Sequence, residues 1–377
     1  MDAEIKVLPL LHMASGDILS LQQYRFVGTH PGKVVYLQAN LHGAEIAGNS
    51  VIHQLLTYFK TLDAAALQGE IRLVPACNPI GVNTRAHNFA SGRFNPYDGR
   101  DWNRIFWDWE QEHRGARTFA AQHLESDRVT IQQTYREFIR QHFAAELAAL
   151  ADPAGVPVHQ RYRTRLQEQA LDADILIDLH SSSNQGMVYT YYFRDRAMSV
   201  PYFDLDFAIL LDRFDGNAFD EAFINPWLEL EKAFADLGRS LRFGIEAWTL
   251  ELGTGMKNDA PAIKRGVSGI LNYLRQQQVL LDGVGVLQQS VPLTRASQLQ
   301  KYYATAGGFV QQRVAIGTWV QRGDVLYELL CLNKTGQYPQ VITVQAQQPG
   351  LVYDLSISEG VSEGEYVLAV MVPDASG

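Results

Sequence analysis

The run Ile175-Leu176-Ile177-Asp178-Leu179, followed at once by His180, limits the possible folds more than any other stretch of this chain. It is short and nearly unbroken in its apolar character. That pattern suits a strand covered on both faces, as in the middle of a helix-flanked parallel sheet. Val34–Gln38 (VVYLQ), Ile71–Ala76 (IRLVPA) and Ala247–Leu252 (AWTLEL) have the same texture. Helical apolar spacing runs through Ala44–Lys60, between the first two strands. A long segment, Arg117–Gln169, is rich in Ala, Gln, Glu, Arg and Leu and reads as helical, with a break at Asp152-Pro153-Ala154-Gly155. Residues 1–288 are therefore expected to form an α/β sheet flanked by helices, with a helical insertion at about 105–170. His142 and Glu146 stand i,i+4 in that insertion and read as a surface hydrogen-bonded pair rather than as metal ligands.

From about Val291 helical periodicity stops, and glycines punctuate short Val-, Leu- and Tyr-rich runs. Residues 289–377 are expected to form a small all-β domain. Two stretches within it look alike. Gly308-Phe309-Val310 leads to Val320-Gln321-Arg322-Gly323-Asp324, and Gly350-Leu351-Val352 leads to Val361-Ser362-Glu363-Gly364-Glu365. A quasi-symmetric pair of hairpins, as in lipoyl-like barrel sandwiches, is the simplest reading. Lys334 lacks the flanking residues of a carrier lysine, so the domain reads as a structural cap.

Charge narrows the partners. With 32 Lys and Arg against 41 Asp and Glu, the net charge of −9 does not attract phosphate backbones, which argues against nucleic acid. No run approaches the roughly 18 apolar residues of a membrane helix. The two cysteines, Cys77 and Cys331, are far apart and suit a reducing compartment, so the cytoplasm is expected. The sequence leaves oligomeric assembly open.

Chemistry gathers at the ends of the apolar strands. His42-Gly43-Ala44-Glu45 follows the first, His180 ends the third, and Glu251 lies in the fourth between two leucines. Open α/β sheets bind ligands at the carboxyl ends of their strands. Two histidines and a glutamate there match a catalytic zinc site with an open position for water. The first helical turn is expected to bring His42 and Glu45 together. A buried carboxylate such as Glu251 is unfavourable unless paired or functional, so it reads as a general base, with Glu246 a weaker rival. The other histidines (His12, His30, His53, His87, His113, His123, His142 and His159) read as surface or satisfied core residues. Several arginines in the loop from Ser91 to Arg104 offer forks to a carboxylate, so the bound substrate is expected to be anionic.

Four motifs in order, H-G-A-E at 42–45, R-F-N-P-Y-D-G-R-D-W-N-R at 93–104, D-L-H-S at 178–181 and E-L-G at 251–253, resemble the succinylglutamate desuccinylase/aspartoacylase family of the zinc carboxypeptidase superfamily. The resemblance implies a zinc-carboxypeptidase-like mixed sheet and one Zn²⁺ per subunit on His42, Glu45 and His180. It implies that Glu251 is the catalytic glutamate and that Arg93 polarises the scissile carbonyl. Asn103 and Arg104 would grip a substrate carboxylate, and Asp101 would orient His42. The implied activity is hydrolysis of the amide bond of a small carboxylate-bearing molecule such as an N-acyl amino acid. The rivals are a metallocarboxypeptidase acting on peptides and a zinc-binding module without catalysis. Arg194, Arg196, Arg213 and Arg242 are candidates for an acyl-side carboxylate, and no motif stands behind any of them.

Overall fold

The computed structural model describes residues 1–86 and 90–373, so His87 lies outside the described residues. Ten strands precede residue 296: β1 (Glu4–His12), β2 (Ile18–Val27), β3 (His30–Ala39), β4 (Gln68–Val74), β5 (Ile175–Ser182), β6 (Gln185–Gly186), β7 (Val188–Tyr192), β8 (Phe207–Leu210), β9 (Glu246–Thr254) and β10 (Leu293–Arg295). All but β6 join one mixed sheet in the order β1-β2-β4-β3-β5-β9-β7-β8-β10. The four expected strands are β3, β4, β5 and β9, and three of them, β3, β5 and β9, lie side by side and parallel at its centre. The hairpin of β1 and β2 was not foreseen. Its first strand is mostly exposed, and the apolar run Val7–Leu11 within it is interrupted by Pro9.

Strand pleating sorts the centre into two cores. Val35, Leu37, Ile175, Ile177, Leu179, Trp248 and Leu250 face one way, toward the helices Ala47–Thr61 and Ala260–Gln276. Tyr36, Leu176 and Ala247 face the other, under the insertion and the helix Phe219–Asp236. Asp178 and His180 share the parity of Leu176, and Thr249 and Glu251 that of Ala247. The alternation thus directs the polar residues of both strands to the face that the insertion covers.

The insertion is helical where expected. Arg128–Ala149 buries Ile131, Tyr135, Ile139 and Phe143 at four-residue spacing, and its N-cap Asp127 accepts from Val129 and Thr130 N–H. The break falls at the expected residues, where Gly155 N–H donates to Asp152 carbonyl at 2.8 Å. His142 and Glu146 do not pair as expected. His142 Nδ1 bonds its own helix at Phe138 O (2.8 Å), while Glu146 takes the guanidinium of Arg163 (2.7 Å).

Beyond residue 296 come β11 (Gln300–Tyr303), β12 (Gly308–Gln311), β13 (Trp319–Val320), β14 (Val325–Cys331), β15 (Gln340–Gln345), β16 (Gly350–Leu355), β17 (Gly360–Val361) and β18 (Tyr366–Met371). They form two further sheets, β11-β18-β16-β13 and β15-β14-β12-β17. The look-alike stretches are not two separate hairpins. Each exchanges strands with the other: Phe309 pairs with Gly360, and Trp319 pairs with Leu351. Both repeats thereby bury Val310, Val320, Val352 and Val361 in one shared core. The short strand β6, reached just after His180, pairs with β16 rather than with the large sheet.

Candidate metal centre

Three strand ends build the site. Asn40 leaves β3 with φ +67, a left-handed conformation that Asn tolerates, and its Nδ2 donates to Glu45 O at 3.0 Å. This tight turn holds His42 and Glu45 ahead of the helix, which starts only at Ala47. The expected first helical turn is therefore a hydrogen-bonded loop. Gly43 is required there by close approach rather than by its φ, since a Cβ on it would lie 2.1 Å from Gly81 O. Asn78 ties the next turn to the same point, with its Nδ2 on Leu41 O at 2.8 Å.

His42, Glu45 and His180 offer ligand atoms that all lie within 4.8 Å of one another, and all three residues are buried. Both imidazoles turn Nδ1 to the same carboxylate: His42 to Glu45 Oε1 at 2.9 Å and His180 to Glu45 Oε2 at 2.7 Å. Each Nε2 faces an aspartate. His42 Nε2 lies 3.1 Å from Asp101 Oδ1, and His180 Nε2 lies 3.1 Å from Asp178 Oδ2. The second contact is electrostatic rather than an aligned hydrogen bond, because neither oxygen of Asp178 has a hydrogen-bond partner. Burial opposes ionisation of Glu45, yet the two imidazoles hold its carboxyl below the usual carboxylate range. Burial likewise opposes a proton on His180, and Asp178 and Glu45 overcome it and raise its pKa. The same carboxylates favour a divalent cation at this point. Two imidazoles and one carboxylate form a donor set that fits zinc.

Glu251 stands beside this group, because β5 and β9 pair with His180 opposite Glu251. Burial pushes its carboxyl up to about 8, assisted by Glu45 and opposed by His180 and Arg93. Its Oε2 is buried without a partner. The rival Glu246 sits at the far end of β9, bound to Tyr273 Oη at 2.7 Å and Ser199 Oγ at 3.0 Å.

Arg93 reaches in from the loop. Its Nη1 donates to Asp101 Oδ2 at 3.0 Å, and its Nη2 lies 3.9 Å from Glu45 Oε1. Asp101 N-caps the local turn by accepting from Asn103 N–H at 2.8 Å. Asn103 Oδ1 accepts from Phe219 N–H at 2.9 Å. A cavity of about 440 Å³ holds His42, Arg93, Asn103, Arg104, His180 and Glu251 together. All eight residues singled out from the sequence thus converge on one place. Asp178 was read within its motif without a role, although a carboxylate two residues before His180 in an apolar strand must share that histidine's face.

None of Arg194, Arg196, Arg213 and Arg242 lines this cavity. Arg196 is instead buried in a forked pair with Glu231 (2.8 and 2.9 Å) and also donates to Ile245 O. Arg196→Met leaves that carboxylate buried without its fork, and is expected to cost about 3–5 kcal/mol of stability. Urea denaturation measures this, and an unchanged midpoint would show that the pair contributes nothing.

Among the described residues no helix is long and apolar enough to cross a membrane. Residues 31–277 match the family model of the succinylglutamate desuccinylase/aspartoacylase catalytic domain. A crystal structure of a succinylglutamate desuccinylase/aspartoacylase family protein from Shewanella amazonensis SB2B is 30% identical, with a TM-score of 0.88 over 98% of each chain. One from Shewanella frigidimarina NCIMB 400 is 26% identical, with a TM-score of 0.89 over 99% of this chain and 98% of that one. The ectoine utilization protein EutE (DoeB) from Ruegeria pomeroyi, solved with product bound, shares the fold at 18% identity, with a TM-score of 0.66 over 99% of this chain and 96% of its own. No curated protein matches the chain.

Proposed function

This chain belongs to the succinylglutamate desuccinylase/aspartoacylase family, and from that premise we propose that it is a zinc-dependent amide hydrolase acting on small carboxylate-bearing substrates such as N-acyl amino acids. The fold and family are hydrolytic. The observation that carries the finer reading is the placement of Glu251. A carboxyl in register with His180, its Oε2 buried without a partner, lines the same cavity as the side chains of Asn103 and Arg104.

His42, Glu45 and His180 would hold the zinc. When bound there it supplies Lewis-acid polarisation of the carbonyl and makes water more acidic. The chain's own residues do the rest. Glu251 takes the proton of the attacking water and delivers it to the departing amine. Arg93 donates to the oxygen on which negative charge develops, a service that costs little reorganisation because Asp101 already holds the guanidinium. The Asn103 amide and the Arg104 guanidinium receive the substrate carboxylate. Ala296, Leu299 and Lys301, from the start of the C-terminal residues, border the cavity, which suits a small molecule better than a long peptide.

We read residues 289–377 as a barrel-sandwich cap and residues 1–288 as the hydrolase domain. The two free cysteines fit a cytoplasmic protein. The test is a panel of N-acyl amino acids set against short peptides, with metal content measured alongside. N-acyl amino acids are expected to turn over, with activity lost on chelation and restored by zinc. Preference for peptides, or purified active enzyme without stoichiometric metal, would overturn the reading.

A further inference from the structure

β1 is the outermost strand of the large sheet, and among the described residues no strand pairs with its outer edge. From Glu4 to Leu8 its pairing with β2 is regular, and the bulge comes only between Pro9 and Leu11. An open edge offers a row of backbone donors and acceptors to another strand, and proteins blunt such edges with bulges, prolines, lysines or cover. Here the proline and the bulge lie beyond the regular stretch. Residues 4–7 are all exposed. Ile5 and Val7 point to one face, each 58% exposed, and Glu4 and Lys6 point to the other.

We propose that this edge joins two copies of the chain, strand to strand and antiparallel about a two-fold axis through Ile5, so that the two large sheets become one. Symmetry restricts the register. A two-fold axis between antiparallel strands stands perpendicular to the sheet and keeps each face on its own side. It must therefore pass through a residue rather than between two. Centred on Lys6, it would set that lysine against its own copy, and centred on Glu4 it would oppose two glutamates. Like charges directly opposite are unfavourable. Centred on Val7, it would draw Pro9 into the pairing and leave Glu4 and Lys6 opposite leucines. Centred on Ile5, Glu4 meets the partner's Lys6 and Lys6 meets the partner's Glu4. Ala3, Ile5 and Val7 of both copies then form one apolar row on the other face.

Charge also favours a second copy over an unrelated strand. A line of alternating charge already crosses this face of the sheet. Glu70 of β4 binds Arg25 of β2 at 2.7 Å, and Arg25 binds Glu4 of β1 at 2.8 Å. A cation opposite Glu4 on the next strand outward would continue that line, and the partner's Lys6 supplies it. Lys6 itself has no ion pair among the described residues. It thus blunts the edge against any strand without a facing acid, and a second copy brings that acid.

Analytical ultracentrifugation of the full-length protein at micromolar concentration is expected to show a dimer. Lys6→Glu sets acid against acid at both symmetry-related positions and should weaken dimerisation by about tenfold or more. Glu4→Lys combined with Lys6→Glu restores opposite charges and should recover most of that loss. The register is tested by cross-linking in a Cys331→Ser background. Ile5→Cys places two thiols directly opposite and should give a disulfide-linked dimer on mild oxidation. Val7→Cys should not, because its own copy lies about 13 Å away along the strands. Circular dichroism checks that each variant folds. A monomer in the wild type, a dimer unmoved by Lys6→Glu, or cross-linking through Val7→Cys rather than Ile5→Cys would overturn the proposal. Should a charge variant fail to fold, the two cysteine variants decide.

Discussion

Glu251→Gln enzyme is expected to retain stoichiometric zinc and to lose about 10³-fold in kcat, within the range that a positioned general base contributes. The substitution keeps the shape and removes only the ability to carry a proton. Glu251 is not among the three clustered ligand residues, so metal content should hold. Its carboxyl lies where burial pushes the pKa up to about 8, and the positive charge of a bound dication would act in the opposite sense. The two influences together would bring it toward the operating pH, where a base is most effective. KM should change little, because on the proposed reading Asn103 and Arg104, rather than Glu251, would grip the substrate carboxylate. Single-turnover rates together with metal analysis make the test, and a variant within tenfold of wild type would place the base elsewhere.

Glu45→Gln is expected to abolish stoichiometric zinc binding and, with it, turnover. The Glu45 carboxylate lies between two imidazoles and also accepts from Ser181 N–H at 3.3 Å. A neutral amide brings an NH₂ group to one of those contacts and removes the negative charge that gathers the site. Asp101→Asn provides the scale. It leaves the ligand set whole and should weaken zinc affinity by about 10–100-fold, as loss of an orienting partner does. Competition with a chromophoric chelator measures both. Glu45→Gln binding zinc as tightly as Asp101→Asn would mean that Glu45 is not a ligand.

The centre of this site was legible in the sequence because strand ends are legible. An apolar run fixes a buried strand, and the polar residue that follows it must sit toward the strand's carboxyl end, as His180 does in β5. Parity then places Asp178 and Glu251 on known faces. The edge hairpin was not legible, because Glu4–His12 buries too little to carry a pattern. The turn around Glu45 was misread as helix because its geometry depends on Asn40 and on backbone crossings with residues 81, 91 and 92. Contacts between distant segments, such as the exchange between the two C-terminal repeats, leave no local mark.

The pairing of β6 with β16 also has a consequence for how the protein comes into being. Asp354 and Gly186 face each other across 168 residues of chain, so the loop beyond His180 gains its partner strand only after those residues have been made. The segments that carry His42, Glu45 and His180 leave the ribosome before then, whereas the loop beyond His180 waits for β16. A chain terminated before β16 would thus keep those three residues while lacking the partner of β6, so this part of the fold depends on translation through residue 354.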